Sequence, residues 1–459
     1  MKLIGTKDFY KSVFRIAIPI MIQNVVTNSV SLVNNITVGN LGTESLAGVA
    51  IANTLISVYY LCIFGAISAT GLFGNQYAGR RDYQGEQYVF RMMIKLALFF
   101  SGVWMLFFIL AGKPLISLFL HDNGDGSNLA LTLSEGYRYL VVMSISFLPY
   151  SINSSYSEML RENGRARIPM MSSITALVTS LILNLILVPI LGVIGAAVAA
   201  VVSRFIECSI NILWTHRYPE EVPFVYHVYD TMTVPKELSR RILIKGIPLI
   251  ISETLWSIGE TVINQSYSYH GVTAVAAINM AVTISSLVNT AFFSLGVSIG
   301  IILGNILGTG DMEKARDTDN KLLTLSVFIG FCVSAVLMGL GIVVPNLYSS
   351  QPEEVRHLAK LFIWCEAAGA PFRAYGNASY YTIRSGGNTV LTFFYDCGSI
   401  WALSAATAYG LTHFTNLGVV TVYLAVKLVE GIKCLIGTYL VAKGGWMTSI
   451  VDSPPEQKA

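Results

Sequence analysis

Two glutamates seven residues apart, Glu253 and Glu260, stand in a stretch of chain otherwise almost free of charge. Seven residues is two helical turns less about 20°, so both carboxyls lie on one side of a helix. Asn264, four residues on, joins that side. A rise of about 1.5 Å per residue from Lys245 sets Glu253 about 12 Å and Glu260 about 22 Å along the helix. Asp396 follows Arg384 by a comparable distance, about 18 Å by the same rise. Carboxylates at such depth in apolar surroundings are costly, and they mark places where protons, metal ions or organic cations bind. A carboxylate that takes either a coupling cation or a cationic cargo excludes one while it holds the other, which is the chemistry of exchange. Glu253, Glu260 and Asp396 are therefore the candidate cation-coupling residues.

Neutral and basic groups could assist them. An early stripe of Gln23, Asn24, Thr27, Asn28, Ser31, Asn34 and Asn35 offers hydrogen bonds, and Gln23, Asn24, Asn34 and Asn35 are candidate substrate-binding or supporting residues together with Asn264, Glu366 and Arg373. Arg373, eleven residues before Arg384, stays charged wherever it is placed, so it needs an acid. Glu366 (two turns away on the same face), Asp396 and Glu260 are the partners available to it. Arg204 with Glu207 and Lys427 with Glu430, each at i and i+3, read as helix-anchoring ion pairs. The coupling ion is H⁺ or Na⁺. Na⁺ prefers oxygen ligands, and Glu260 would be its place; no metal site is assigned, and no cofactor is expected.

These residues must be held by membrane helices. Hydrophobic residues make up 53% of the 459-residue chain and charged residues 12%, with mean hydropathy +0.60. Soluble domains carry about 25% charge. Windows such as Ile174–Ala200, Ala281–Leu307 and Leu322–Leu347 hold almost no charge, and each can cross a hydrocarbon core of about 30 Å. In lipid every backbone N–H and C=O must bond within its own segment, which forces helices. Twelve spans are predicted: 12–38, 45–77, 88–112, 134–160, 167–190, 193–215, 241–269, 273–307, 321–348, 355–383, 389–412 and 417–441. Lys and Arg concentrate on one set of connections, including Arg80, Arg81, Arg161, Lys236, Lys314 and Arg384. By the positive-inside rule this puts both termini in the cytoplasm of a multi-pass plasma-membrane protein.

The chain also repeats itself. A shift of 229 places Pro19 on Pro248, Gly42 on Gly271 and Gly79 on Gly308; a shift of 223 places Arg204 on Lys427 and Glu207 on Glu430. Because six spans separate the copies, the repeat is parallel. The expected fold is an all-α polytopic protein of two six-helix bundles: residues 1–215 and 241–441, a cytoplasmic linker at 216–240 and a cytoplasmic tail at 442–459, disordered from Ser449. The acids are one-sided under these shifts. Asn24 meets Glu253, Ser31 meets Glu260, Ser173 meets Asp396 and Met143 meets Glu366.

At these residues the chain resembles the multidrug and toxic compound extrusion (MATE) family of cation-coupled efflux transporters. The resemblance rests on Pro19, Ser31-Leu-Val-Asn-Asn-Ile-Thr-Val-Gly39 and Leu41-Gly-Thr-Glu-Ser-Leu-Ala47. It continues in Pro248, Gly271-Val-Thr-Ala-Val-Ala-Ala277, the turns Leu160-Arg-Glu-Asn-Gly164 and Ile383-Arg-Ser-Gly-Gly-Asn388, and the acidic stretch Ser252-Glu-Thr-Leu-Trp-Ser-Ile-Gly-Glu-Thr261. It implies a V-shaped pair of six-helix bundles, H⁺ or Na⁺ coupling and export of amphipathic, often cationic compounds. Asn34 and Val188 stand where the family often carries aspartates, and Arg373 stands near an aspartate of some members.

Two other transporter classes share the layout. A major-facilitator protein would carry Asp-Arg in the loop that here reads Gly74-Asn-Gln-Tyr-Ala-Gly-Arg-Arg81. A lipid-linked saccharide flippase would need a basic, hydrated cavity, for which Arg373 is the one strong signal. No H-E-x-x-H and no ATP-binding loop occurs, so neither an enzyme nor direct ATP drive is expected. The six cysteines form no C-x-x-C pair and read as reduced, packed thiols. The expected partners are small-molecule substrates and the lipid bilayer, with no nucleic acid, and the protein is expected to act as a monomer.

Overall fold

The computed structural model describes residues 3–39, 41–120, 128–347 and 352–451. Among them the chain is helical throughout, with no strand: α1 (Lys7–Gly39), α2 (Thr43–Arg80), α3 (Tyr83–Ser117), α4 (Leu129–Ser144), α5 (Phe147–Glu162), α6 (Arg167–Leu191), α7 (Val193–Arg217), α8 (Lys236–Ser268), α9 (Val272–Gly308), α10 (Met312–Leu347), α11 (Glu353–Ser385), α12 (Thr389–Ser399), α13 (Ala406–Phe414) and α14 (Val419–Lys443). The twelve predicted spans are present. The fourth is α4 and α5 joined by a turn at Ile145-Ser146. The eleventh is α12 and α13 joined by a π-helical segment, Ile400–Ala405. Among the described residues, seven helices are long and apolar enough to cross a membrane by length and composition alone. Others are diluted by charged residues within the helix, as in α11 and α14.

Local chemistry sets the helix ends. Side chains of Asp82, Asn128 and Asn388 accept from the third N–H beyond them, at 2.9, 3.0 and 3.2 Å, which satisfies donors that a helix start leaves open. Gly444 closes α14 at φ 76°, a conformation natural to glycine. Large apolar side chains point outward: Leu185 is 75% and Phe414 81% exposed. For helices of this length such faces belong against lipid.

The chain divides into two compact units. One holds Ile22–Gly74 and Arg81–Ile242; the other holds Met1–Met21, Asn75–Arg80 and Leu243–Ala459. In the first, α3, α5 and α7 pack together and α6 lies along α7. Tyr59 stacks on Phe147 with ring centroids 4.0 Å apart, and Phe90 meets Tyr156 edge-on. The second is built on α9, α10, α11 and α14, with Phe362, Ile363, Leu337 and Tyr423 in one apolar core and Leu303, Leu322, Ile383 and Trp446 in another.

The repeated Gly79 and Gly308 have a steric explanation. The end of α2 and the end of α9 cross so closely that a Cβ on Gly79 would stand 2.6 Å from the Asn305 Cα. A Cβ on Gly308 would meet the Gln76 backbone in the same way. Backbone cannot yield as a side-chain tip can. Gly79→Val is therefore expected to destabilise the protein by on the order of 1–3 kcal/mol through overpacking. An unchanged apparent melting temperature of the purified variant would count against this crossing.

Two expectations, one for the connection and one for the tail, need correction. The linker is shorter than 216–240, since α7 runs to Arg217 and α8 starts at Lys236. It is also folded down. Phe224 is buried against Phe90, and Arg91 of α3 donates to three linker carbonyls: Val228 at 2.7 Å, His227 at 3.2 Å and Thr233 at 3.4 Å. The tail is ordered further than predicted. Ile450 N–H donates to Gln76 Oε1 at 2.7 Å and Arg80 donates to the Val451 carbonyl at 3.4 Å; residues 452–459 lie outside the described ones.

Candidate functional site

Two charged nodes sit among the helices of the second unit. The first is centred on Glu366 of α11, whose side chain is 3% exposed. Arg373 of the same helix places Nη1 2.9 Å from Glu366 Oε2, and Lys427 of α14 places Nζ 2.9 Å from Oε1. The Tyr423 hydroxyl donates to Oε1 as well. Arg373 Nε reaches Glu430 Oε2 at 3.5 Å. Lys427 also lies over the Tyr423 ring, 4.8 Å from its centroid. Glu260 of α8 faces this node, within electrostatic reach of Lys427, Arg373, Glu430 and Glu366, and has no ion-pair partner at contact distance among the described residues.

The second node joins α8, α11, α12 and α14. Lys433 Nζ stands 2.7 Å from Asp396 Oδ1 and 5.2 Å from the Tyr395 ring centroid. Glu253 is near Arg384 and Asp396, with the Tyr380 hydroxyl in hydrogen-bonding reach. Arg384 donates to that hydroxyl at 3.0 Å. The π-helical segment begins four residues after Asp396, and Trp401 within it donates to the Leu255 carbonyl of α8 at 3.1 Å. Wide turns of this kind occur often at functional sites.

Several sequence expectations are thereby settled in geometry. Arg373 pairs with Glu366 and Glu430, while Asp396 has its own lysine. Lys427 and Glu430 do not pair with each other as helix anchors; each instead bonds to α11. Arg204 and Glu207 do pair on their own helix, at 2.7 Å. Arg384, counted from sequence as a connection charge, is buried between helices. Asn264 is exposed and makes no hydrogen bond among the described residues.

The first unit carries a different network. Gln23 is buried; its Nε2 donates to Ser173 Oγ at 3.0 Å, and its Oε1 accepts from Arg161 at 2.5 Å. Ser173 donates in turn to Glu207 at 2.5 Å. Thr27 bonds only the Gln23 carbonyl of its own helix, at 3.0 Å, Asn24 is half-buried and Asn28 is exposed. Asn34 and Asn35 lie on α1, and their side chains fall outside the described residues. Contrary to the one-sided pattern read from the repeat, this unit also buries Glu86, Glu162 and Glu207. The second unit further buries Asp319, which accepts from Thr382 at 2.7 Å.

Charged groups held between membrane helices, in a chain built from a duplicated helical unit, are the layout of a membrane transporter. The sequence profile of the MatE family matches residues 19–186 and 248–409, two copies at the offset that registers Pro19 on Pro248. The chain belongs to the MatE family, the multidrug and toxic compound extrusion transporters. It is 21% identical over 447 residues to the Bacillus subtilis protein named "Probable multidrug resistance protein YoeA", covering 93% of this chain and 92% of that one. It is 22% identical over 427 residues to the Thermotoga maritima protein named "Probable multidrug resistance protein NorM", covering 91% and 89%. Among solved structures, a Vibrio cholerae MATE transporter superposes with a TM-score of 0.84 at 16% identity, covering 96% of this chain and 98% of that one. A MOP superfamily transporter from Pyrococcus furiosus, described as having a binding pocket of reversed polarity, superposes with a TM-score of 0.83 at 19% identity, covering 97% and 98%.

Proposed function

We propose that this transporter exports amphipathic organic cations in exchange for a coupling cation, and that the acids of its second unit carry the exchange. The observation that carries this reading is the charge balance of the first node. Three carboxylates (Glu260, Glu366, Glu430) face two bases (Arg373, Lys427). One negative charge is left over, and Glu260 is the acid of the three without an ion-pair partner at contact distance among the described residues. A single positive charge, whether ion or cargo, completes the node, and two cannot be held together. Glu253 and Asp396 form the second station on the same path, about 10 Å from Glu260 along α8.

The surroundings of Glu260 favour H⁺ over Na⁺ as the coupling ion. A sodium ion needs several oxygen ligands at once, and the neighbouring carboxylates Glu366 and Glu430 are already ion-paired to Arg373 and Lys427. A proton needs one lone pair of one oxygen. Gln23, Asn24, Asn34 and Asn35 remain the candidate supporting residues of the first unit. Both termini face the cytoplasm of the plasma membrane, following the distribution of Lys and Arg, and a single chain suffices for transport.

Ethidium efflux from proteoliposomes tests this directly. An imposed H⁺ gradient is expected to drive efflux and an imposed Na⁺ gradient at equal pH is not. Drive by sodium alone would replace the proton reading, and no efflux under either gradient would remove the exchange reading.

A further inference from the structure

The duplicated Arg/Lys-x-x-Glu motif stands in two different arrangements within this one chain. In the first unit it is closed: Arg204 and Glu207 pair on α7 at 2.7 Å, and Arg204 lies over the Tyr150 ring at 5.3 Å. In the second unit it is open: Lys427 holds Glu366 at 2.9 Å and Glu430 holds Arg373 at 3.5 Å. The shift of 223 explains the difference. Tyr150 corresponds to Arg373 and Met143 to Glu366, so two positions that are neutral in one copy are charged in the other and draw the motif apart. The backbone spacing of i and i+3 that closes the pair on α7 is equally present on α14.

We propose that Lys427 is a tethered cation that occupies Glu366 in place of cargo, and that cargo binding sends it back to Glu430, its partner on α14. The inference rests on the exchange reading above and names the residue that makes room for the cargo. Three features of the node support it. Glu366 Oε2 lies close to Arg373 but off any hydrogen-bond direction, so this buried oxygen has no hydrogen-bond donor among the described residues. Glu366 can thus accept one more donor. The Arg373–Glu430 contact is the loosest of the node's three ion pairs, which leaves Glu430 free to take the lysine. The Lys427 side chain is 16% exposed while Glu366 is 3% exposed, so an approaching cation meets the lysine first. With Tyr423 holding Oε1 and Glu260 facing the ring, arrival of one cation and retreat of one lysine conserve the charge around Glu366.

A double-mutant cycle on ethidium binding to the purified transporter tests the switch. A lysine that occupies the site about nine-tenths of the time weakens apparent affinity about tenfold. Lys427→Met should therefore bind ethidium about tenfold more tightly, and Lys427→Arg, which keeps the charge, should not show that gain. Glu430→Gln removes the place to which the lysine retreats and should weaken binding by a similar factor. In the Lys427→Met background the same Glu430→Gln change should do little, because there is no lysine left to rehouse. Simple charge attraction predicts additive effects instead, and additivity would overturn the switch. Should Lys427→Met fail to fold, wild-type affinity in Glu430→Gln would overturn it alone. If wild type neither binds nor exports ethidium, it is the exchange reading that fails. Binding and export by wild type with additive variants would remove the switch only.

Discussion

Replacing Glu260 by glutamine is expected to abolish H⁺-coupled efflux while the protein still inserts, purifies and elutes as wild type does. The substitution keeps the shape and the hydrogen-bonding capacity of the side chain and removes its charge and exchangeable proton. Glu260 sits on α8 within electrostatic reach of Arg373 and Lys427 and without an ion-pair partner at contact distance among the described residues, so no ion pair is broken there and little stability is at stake. What changes is the charge balance of the node. With glutamine at 260, two carboxylates face two bases, and neither a proton nor an organic cation has an unmatched negative charge to answer. Exchange requires that both ligands draw on one group, since a ligand shifts a conformational equilibrium only through differential affinity. Both affinities should fall together. Glu260→Asp, which keeps the carboxylate one methylene shorter, should retain measurable coupled efflux. Proteoliposome efflux under an imposed pH gradient decides the matter. Wild-type rates in the glutamine variant would take Glu260 out of the mechanism, and the charge balance would then have to be carried by Glu253 and Asp396.

Much of this arrangement was legible in the sequence, for physical reasons that can be named. Apolar windows of span length have one solution in lipid, so the helices and their number followed. The repeat carried the parallel two-bundle plan, and seven-residue spacing put Glu253 and Glu260 on one helix side. What sequence reasoning missed lies mostly at helix ends. The predicted spans begin after Glu86 and Asp319 and close before Glu162 and Arg384, whereas α3, α10, α5 and α11 extend past them and bury all four. Arg384 was read as a connection charge because lysine and arginine counting treats every base near a span end as exposed. Lys433 and Tyr423 gave no signal at all. Their roles come from the packing of α14 against α11 and α12, a tertiary fact that no spacing encodes. The Lys427–Glu430 expectation failed for the same reason: helix spacing permits that pair, and the acid and base arriving from α11 compete better for its members.

Arg373→Met should be the most damaging single change to stability in the node, and adding Glu430→Gln should restore much of what is lost. Arg373 joins Glu366 and Glu430. Its removal leaves three carboxylates facing one lysine among buried helices. Breaking a buried ion pair by deleting one partner costs on the order of 3 kcal/mol, chiefly because the remaining charge stays desolvated. Arg373 is 20% exposed, which leaves it well inside the range where this penalty applies. In Arg373→Met/Glu430→Gln, two carboxylates face one base, so the excess charge returns to that of wild type and Glu366 keeps Lys427 and Tyr423. The double variant should therefore melt well above the Arg373→Met single variant when both are scanned at one heating rate. The comparison also separates two roles for arginine. If it serves only to neutralise its neighbours, the double variant regains transport with stability. If its guanidinium also orders Glu366 for exchange, stability returns and transport does not. Melting temperatures that fall additively would mean that Arg373 and Glu430 do not act as a pair, and the node as drawn would be wrong.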